Sequence, residues 1–298
     1  MTDPRRVAAL PVMPAMTLAM LLTGAAVGAQ EAAVEDAPTF VIAHRGFSAV
    51  APEHTFAAWD LALEAGADYL EQDLQLTADG VLVVLHDDTL ERTGRGDGCA
   101  GPVRERTLDE LGGCDVGTWF NQAHPDRARP EYVGLRIPTF RQVIERYVGR
   151  ARFYVETKNP EEAPGMEIAL IELLREFDLI GEQPGPPPAI VQSFSHASLL
   201  TIARLEPSLP RVQLLPGDYS AEATIGLLPR IAEYARGIGP SHRNVTAQLV
   251  QAAMATGLWV HPYTVNERAR MQQMLALGTR GMFTDRPDLL RELLPGSR

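Results

Sequence analysis

The sequence predicts an α/β protein, a (β/α)8 (TIM) barrel with a small disulfide-stapled insertion, from three observations. Short apolar runs alternate with amphipathic runs along residues 39–298. Nothing in that stretch marks a second domain. Charged residues recur at the C-terminal ends of the apolar runs, the rim on which such barrels carry their sites. An open doubly wound sheet is the alternative, and the spread of those charged ends over the whole chain favours the barrel.

The elements follow in order. Residues 40–43 read as a strand and residues 53–65 as a helix, with Phe56, Trp59, Leu61 and Leu63 available for burial. Residues 69–76 alternate outward and inward as a strand does. The Asp79-Gly80 pair marks a tight turn, and a β-branched run follows at 81–85, so these two strands are expected to be neighbours. Residues 90–137 break the rhythm: they hold both cysteines and six glycines before Gly117, with a short helix able to start at 107–111. This stretch is expected to be an excursion from the barrel that shapes the mouth of the site. The alternation then resumes. Helices are expected at 139–147, 166–177, 197–205, 221–232, 247–256 and 267–277. Strands are expected at 152–156, 189–192, 211–215, 236–239, 258–263 and 281–284, with a proline-rich loop at 184–188. Pro287 then falls in the first turn of a final helix, where its missing N–H costs nothing.

The formal charge of −11 disfavours a nucleic-acid binder that works by bulk electrostatics. Of the 27 basic residues only Lys158 is a lysine. A point charge retained there, against a general use of arginine, suggests a position that a guanidinium fork would not serve. Residues 1–29 read as a signal peptide: Arg5 and Arg6 precede an apolar stretch interrupted by Pro11 and Pro14, and Val27-Gly28-Ala29 offers a cleavage position before Gln30. Residues 30–38 read as a leader. The strongest apolar run, 16–22, is too short to span a bilayer. The protein is therefore expected to be exported, periplasmic or secreted, with no stable membrane insertion after cleavage. Cys99 and Cys114 are the only cysteines. In an exported chain such a pair is expected to form a disulfide, contributing about 3 kcal/mol by the chain-entropy relation; two free thiols are the alternative if the chain is not exported.

Three clusters carry candidate chemistry: Ala43-His44-Arg45-Gly46, Glu71-Gln72-Asp73 and His86-Asp87, each following an apolar run. Glu71 and Asp73 stand two apart on a strand and so share a face. Two carboxylates pointing into a barrel mouth repel unless a cation lies between them, and hard oxygen donors suit Ca²⁺ or Mg²⁺. Glu156 ends a later strand in the same way and can be a third ligand. His44 and His86 can supply an acid and a base for phosphoryl transfer. Arg45 and Lys158 can hold phosphate oxygens, the first as a fork and the second as a point charge. The bland alternative is a set of solvated carboxylates paired with these cations. His54, His124, His196, His242 and His261 lack such context and are expected at surface or packing positions. There is no Walker-type glycine loop, GxSxG elbow or HExxH motif.

Together these clusters resemble the glycerophosphodiester phosphodiesterase family. The resemblance adds Pro52-Glu53-His54-Thr55, the run from His86 through Leu90-Glu91-Arg92-Thr93, Glu156-Thr157-Lys158, Tyr263-Thr264-Val265-Asn266 and Thr284-Asp285-Arg286-Pro287, all in the family's order. It implies a barrel with an insertion where residues 90–137 stand. It also implies His44 and His86 as the acid and base, Glu71, Asp73 and Glu156 as ligands of one divalent cation, and Arg45, Lys158 and Tyr263 on the substrate. The implied reaction releases glycerol 3-phosphate and an alcohol from a small glycerophosphodiester. Attack by the glycerol 2-hydroxyl would give a cyclic phosphate that water opens. His54 stands where the family often has Asn, and Tyr263 where it often has Trp; both departures bear on substrate preference. Gln192 and Glu53 are candidates for supporting contacts. A phospholipase D-like activity on lysophospholipids and a non-catalytic glycerophosphodiester-binding barrel are the rival readings. An apolar channel at the mouth would favour the first rival. Oligomeric state and choice of metal do not follow from the sequence.

Overall fold

A computed structural model describes residues 39–181 and 184–295. The signal peptide expected at 1–29 and the leader at 30–38 lie outside the described residues. Eight parallel strands form a continuous ladder: β1 (Phe40–Ala43), β2 (Tyr69–Leu76), β4 (Arg152–Thr157), β5 (Ala189–Ser193), β6 (Arg211–Leu214), β7 (Gly237–Gly239), β8 (Trp259–Val260) and β9 (Gly281–Thr284). The order runs β8-β7-β6-β5-β4-β2-β1-β9. The two ends meet through backbone bonds from Arg280 N to Val260 O (3.3 Å), Phe283 N to Pro262 O (3.0 Å) and Val265 N to Phe283 O (2.8 Å). The sheet is thus joined into the expected barrel. β3 (Leu82–Val84) pairs antiparallel with β2 outside the ladder, through the tight turn read at Asp79-Gly80.

Every strand alternates between two cores, and this places the site. On the inside, Ile42, Tyr69, Tyr154, Ile190, Val212 and Phe283 fill one layer of the barrel. On the outside, Ala43, Leu70, Leu74, Phe153 and Val155 pack on the surrounding helices. Residues 69–76 alternate inward and outward as expected, and β2 is buried almost throughout. In an all-parallel barrel both faces are covered, so the alternation is inside against outside, not wet against dry. Two residues beyond Tyr69 and Tyr154 on the same face stand Glu71 and Glu156, above the apolar plug and toward the C-terminal mouth.

The first helix, α1 (Phe56–Glu64), starts later than periodicity predicts, because Thr55 caps it by accepting from Ala58 N. Glu53 and His54 are thereby left in the loop that faces the site. Trp59 on α1 is fully buried and donates from Nε1 to the Glu71 carbonyl at 3.2 Å, tying helix to strand. The excursion holds two short helices, α2 (Leu108–Leu111) and α3 (Thr118–Ala123). It has its own apolar core of Leu90, Val103, Leu111 and Val116, packed on Val83 of β3 and on Leu85 just after it. The Cys99–Cys114 disulfide lies in that core, with Cα atoms 5.5 Å apart. The remaining helices are α4 (Phe140–Tyr147), α5 (Met166–Glu176), α6 (His196–Leu205), α7 (Ala221–Ile231), α8 (Ala247–Ala255), α9 (Arg268–Ala276) and α10 (Pro287–Leu293). No helix among the described residues is long and apolar enough to cross a membrane.

Candidate active site

All eight residues singled out from the sequence (His44, Arg45, Glu71, Asp73, His86, Glu156, Lys158 and Tyr263) line one cavity of about 270 Å³ at the C-terminal mouth. Gln192, Phe194, Leu214, Thr264 and Phe283 complete its wall. The turn after β1 is built for this. Arg45 takes φ +58° and Gly46 φ +88°. A Cβ at Gly46 would come within 2.8 Å of the Ala58 backbone, so a glycine is required there. The turn aims the Arg45 N–H at Glu71 Oε2, 2.8 Å away. Its side chain donates from Nη1 to Glu53 (3.1 Å), with Nε 3.5 Å from Asp73. Strain of this kind at a non-glycine residue persists only where the surroundings hold it.

The two histidines have matching supports. Nδ1 of His44 meets Asp285 Oδ1 at 2.6 Å, and Asp285 also accepts from Ser48 (3.0 Å) and Asn266 (2.6 Å). Nδ1 of His86 meets Asp87 Oδ1 at 2.6 Å. With Nδ1 committed to a carboxylate, Nε2 of each ring is the nitrogen left to exchange a proton. Burial pushes the His86 imidazole down to about 4, against the pull of Asp73. Burial raises Asp285 and Asp87, but hydrogen bonds, chiefly from His44 and from Arg92, hold both carboxyls at about 2.

The buried acids form the second half of the site. Asp73, Glu156 and Gln192 share one row of the parallel ladder. Burial and the neighbouring Asp73 and Glu156 charges push Glu71 well above the usual carboxylate range. Burial and Asp73 push Glu156 up to about 8, although Lys158 Nζ lies 3.0 Å away. Asp73, despite its burial, is held well below its ordinary value by Lys158, His54 and Arg45. Asp73 Oδ1 and Gln192 Oε1 are buried without a hydrogen-bond partner. Mutually repelling oxygens with unsatisfied lone pairs are a donor set that a hard divalent cation fits.

His54 corrects the sequence reading. It is buried, takes φ +56°, and sets Nε2 2.8 Å from Asp73 Oδ2. It belongs to the site, and its ring can join Glu71 and Asp73 in a group whose ligand atoms lie within 4.8 Å of one another. Burial lowers its pKa, against the pull of Asp73 and Glu53. The available signal was its place in the Pro52-Glu53-His54-Thr55 motif, where the family often has Asn. Asp285 was quoted in a motif but given no role, since 241 residues separate it from His44. Tyr263 is at the wall as expected. Its hydroxyl donates to the Leu215 carbonyl at 2.6 Å and its ring meets Phe194 edge-on.

The sequence profile of the glycerophosphoryl diester phosphodiesterase family matches residues 44–289. The chain belongs to this family. It is 39% identical over 291 residues, 98% of each chain, to the glycerophosphodiester phosphodiesterase of Bacillus subtilis (strain 168). It is 34% identical to the enzyme of that name from Caldanaerobacter subterraneus subsp. tengcongensis, over 86% of this chain and 98% of that one. Among solved structures, it resembles a phosphodiesterase from Oleispira antarctica in complex with the product sn-glycerol-3-phosphate. The TM-score is 0.73 and the identity 28%, over 87% of this chain and 98% of the other. The glycerophosphodiester phosphodiesterase of Agrobacterium tumefaciens str. C58 matches with TM-score 0.67 and 28% identity, over 85% and 98%. The family's barrel is therefore the setting in which the histidine dyads and buried acids are to be read.

Proposed function

We propose that this family member hydrolyses glycerophosphodiesters to glycerol 3-phosphate and an alcohol, with one divalent cation and His44 and His86 as the acid–base pair. One observation carries the reading: two carboxylate-supported imidazoles, three buried acids and two cationic side chains converge on one cavity. The similarity to the Bacillus subtilis enzyme over nearly the whole chain supports it. So does the bound sn-glycerol-3-phosphate of the Oleispira antarctica relative.

Glu71, Asp73 and Glu156 are the residues that would hold the cation, with His54 bracing Asp73. When bound, such an ion offsets charge that grows on the phosphoryl oxygens. Ca²⁺ and Mg²⁺ share this donor type and differ in the site size and rigidity they need. Arg45 and Lys158, each near a different oxygen of Asp73, bring positive charge to the phosphate. One imidazole takes the proton of the glycerol 2-hydroxyl as that oxygen attacks phosphorus. The other gives its proton to the departing alkoxide through Nε2. When water opens the cyclic phosphate the two exchange roles. Tyr263 and Phe194 wall the cavity and orient the substrate's carbon skeleton. A release assay for glycerol 3-phosphate across head groups tests this. Turnover is expected with glycerophosphocholine-type substrates, to vanish with chelator, and to return with Ca²⁺ or Mg²⁺. Turnover unaffected by chelation would reject the cation.

A second reading, phospholipase D-like action on lysophospholipids, is favoured by one feature. Phe194 and Leu214 also border a neighbouring groove of about 280 Å³ walled by Leu215, Tyr219, Leu227 and Ile231, with His196, Gln213 and Arg230 also lining it. An acyl chain continuing from the phosphodiester has an apolar path there. Comparing lysophosphatidylcholine with glycerophosphocholine decides between the two. Export to an oxidising compartment is part of the same proposal, and the disulfide supports it. Fractionation of cells that express the full chain would check it.

A further inference from the structure

Arg92 stands at the root of the excursion, outside the cavity wall, and every nitrogen of its guanidinium faces a carboxylate. Nε and Nη2 donate to Asp87 Oδ2 and Oδ1 at 2.5 and 3.2 Å. Nη1 and Nη2 donate to Glu53 Oε2 and Oε1 at 2.9 and 2.6 Å. The planar fork is thus used on both sides, with four of its five N–H donors committed to carboxylates. Its two partners lead to different halves of the site. Asp87 holds Nδ1 of His86, and Glu53 accepts from Arg45, which lies beside Asp73. The guanidinium carbon lies over the Trp119 ring, 5.7 Å from its centroid, so the excursion itself supports the fork.

We propose that Arg92 is a positioning residue: by clamping Asp87 and Glu53 in one plane it locks the His86 Nδ1–Asp87 bond and sets the His86 ring in register with Arg45. The proposal rests on the acid–base reading above. Asp87 Oδ1 accepts from the ring and the guanidinium together, so its orientation has two anchors. Without Arg92 the carboxylate keeps one. It can then rotate toward solvent, the ring loses its fixed Nδ1–H bond, and Nε2 is no longer held at the reacting atoms. Loss of such a supporting contact typically costs about 10- to 100-fold in activity. Lysine at this position would keep the charge but could not span two carboxylates.

The test is a cycle on the full enzyme with Arg92→Gln and Asp87→Asn, read as kcat and KM for glycerophosphocholine. Arg92→Gln is expected to lower kcat about 10- to 100-fold with KM changed less than about threefold. In the Asp87→Asn background the same substitution is expected to change kcat less than about twofold. An additive loss in that background, or a raised KM with kcat intact, would overturn the proposal. Arg92→Lys carries the same expectation and replaces Gln should that variant not fold. A readout independent of turnover is the low-field proton signal of the His86 Nδ1–H. It is expected in the unsubstituted protein and lost in the Arg92 variants. Its absence from the former, or persistence in the latter, also overturns the proposal. His86→Ala tests the underlying acid–base reading separately: full turnover in that variant would sink the reading, whereas a dead His86→Ala with additive Arg92 and Asp87 effects sinks only the positioning role.

Discussion

The same pair of atoms recurs at both imidazoles, a ring Nδ1 held 2.6 Å from a carboxylate oxygen. Asp285→Asn is expected to keep the fold while lowering kcat by about 10- to 100-fold, since the amide can no longer hold the ring as the charged acceptor does. Steady-state kinetics on the glycerophosphodiester checks this; an unchanged kcat would show that Asp285 has no part in orienting His44. Gly46 makes a stability prediction. With φ at +88° and no room for a Cβ against Ala58, Gly46→Ala is expected to cost about 1–3 kcal/mol in urea unfolding. His261 provides the pH dependence. Fully buried, it contacts the Tyr154 hydroxyl at 3.0 Å and stacks on Trp259, and burial pushes it down to about 3. Between that value and the ordinary 6.5 the unfolded chain binds a proton that the folded chain does not. This contribution is therefore intact above about pH 6.5 and is lost as pH falls toward 3. Unfolding free energies at pH 7 and pH 5 should show a steeper decline for the native protein than for His261→Gln.

Among the elements, the excursion between β3 and α4 differs most from a plain barrel. It contributes its own core and the Cys99–Cys114 bridge, and its root places Arg92 against Asp87 and Glu53. Opening the bridge, by reductant or Cys114→Ser, is expected to lower the unfolding free energy by about 3 kcal/mol, measured by urea titration. A change within error would mean that the contacts of Val83 and Leu85 already hold the segment. The sequence reading placed this excursion and its disulfide from broken periodicity and two cysteines. It set the start of α1 too early, because periodicity cannot tell the capped helix from the polar turn before it. Thr55 ends that turn, and Glu53 and His54 reach the site from it.

At the scale of the whole molecule, the closed ladder sets three buried acids from two strands at one mouth, where burial and the neighbouring charges raise the proton affinity of Glu71 and Glu156. A divalent cation that relieves this is expected to bind only the folded chain. A hundredfold excess over its Kd would then add about 2.7 kcal/mol, visible as a rise in Tm with Ca²⁺ or Mg²⁺ and reversed by chelator. The alternation of strands and helices, the barrel, and the residues at the strand ends were legible from the chain alone. A parallel strand two residues past its apolar plug must present its next inward side chain at the mouth. Pairings over long separations were not. His44 finds Asp285 only because β9 closes beside β1, and the Asp73 carboxylate meets His54 only through the fold of the loop before α1. Local patterning determined which side chains reach the rim; only closure of the barrel decided which of them touch. Contact across the sheet depends on strand order and register, and no short stretch of sequence contains either.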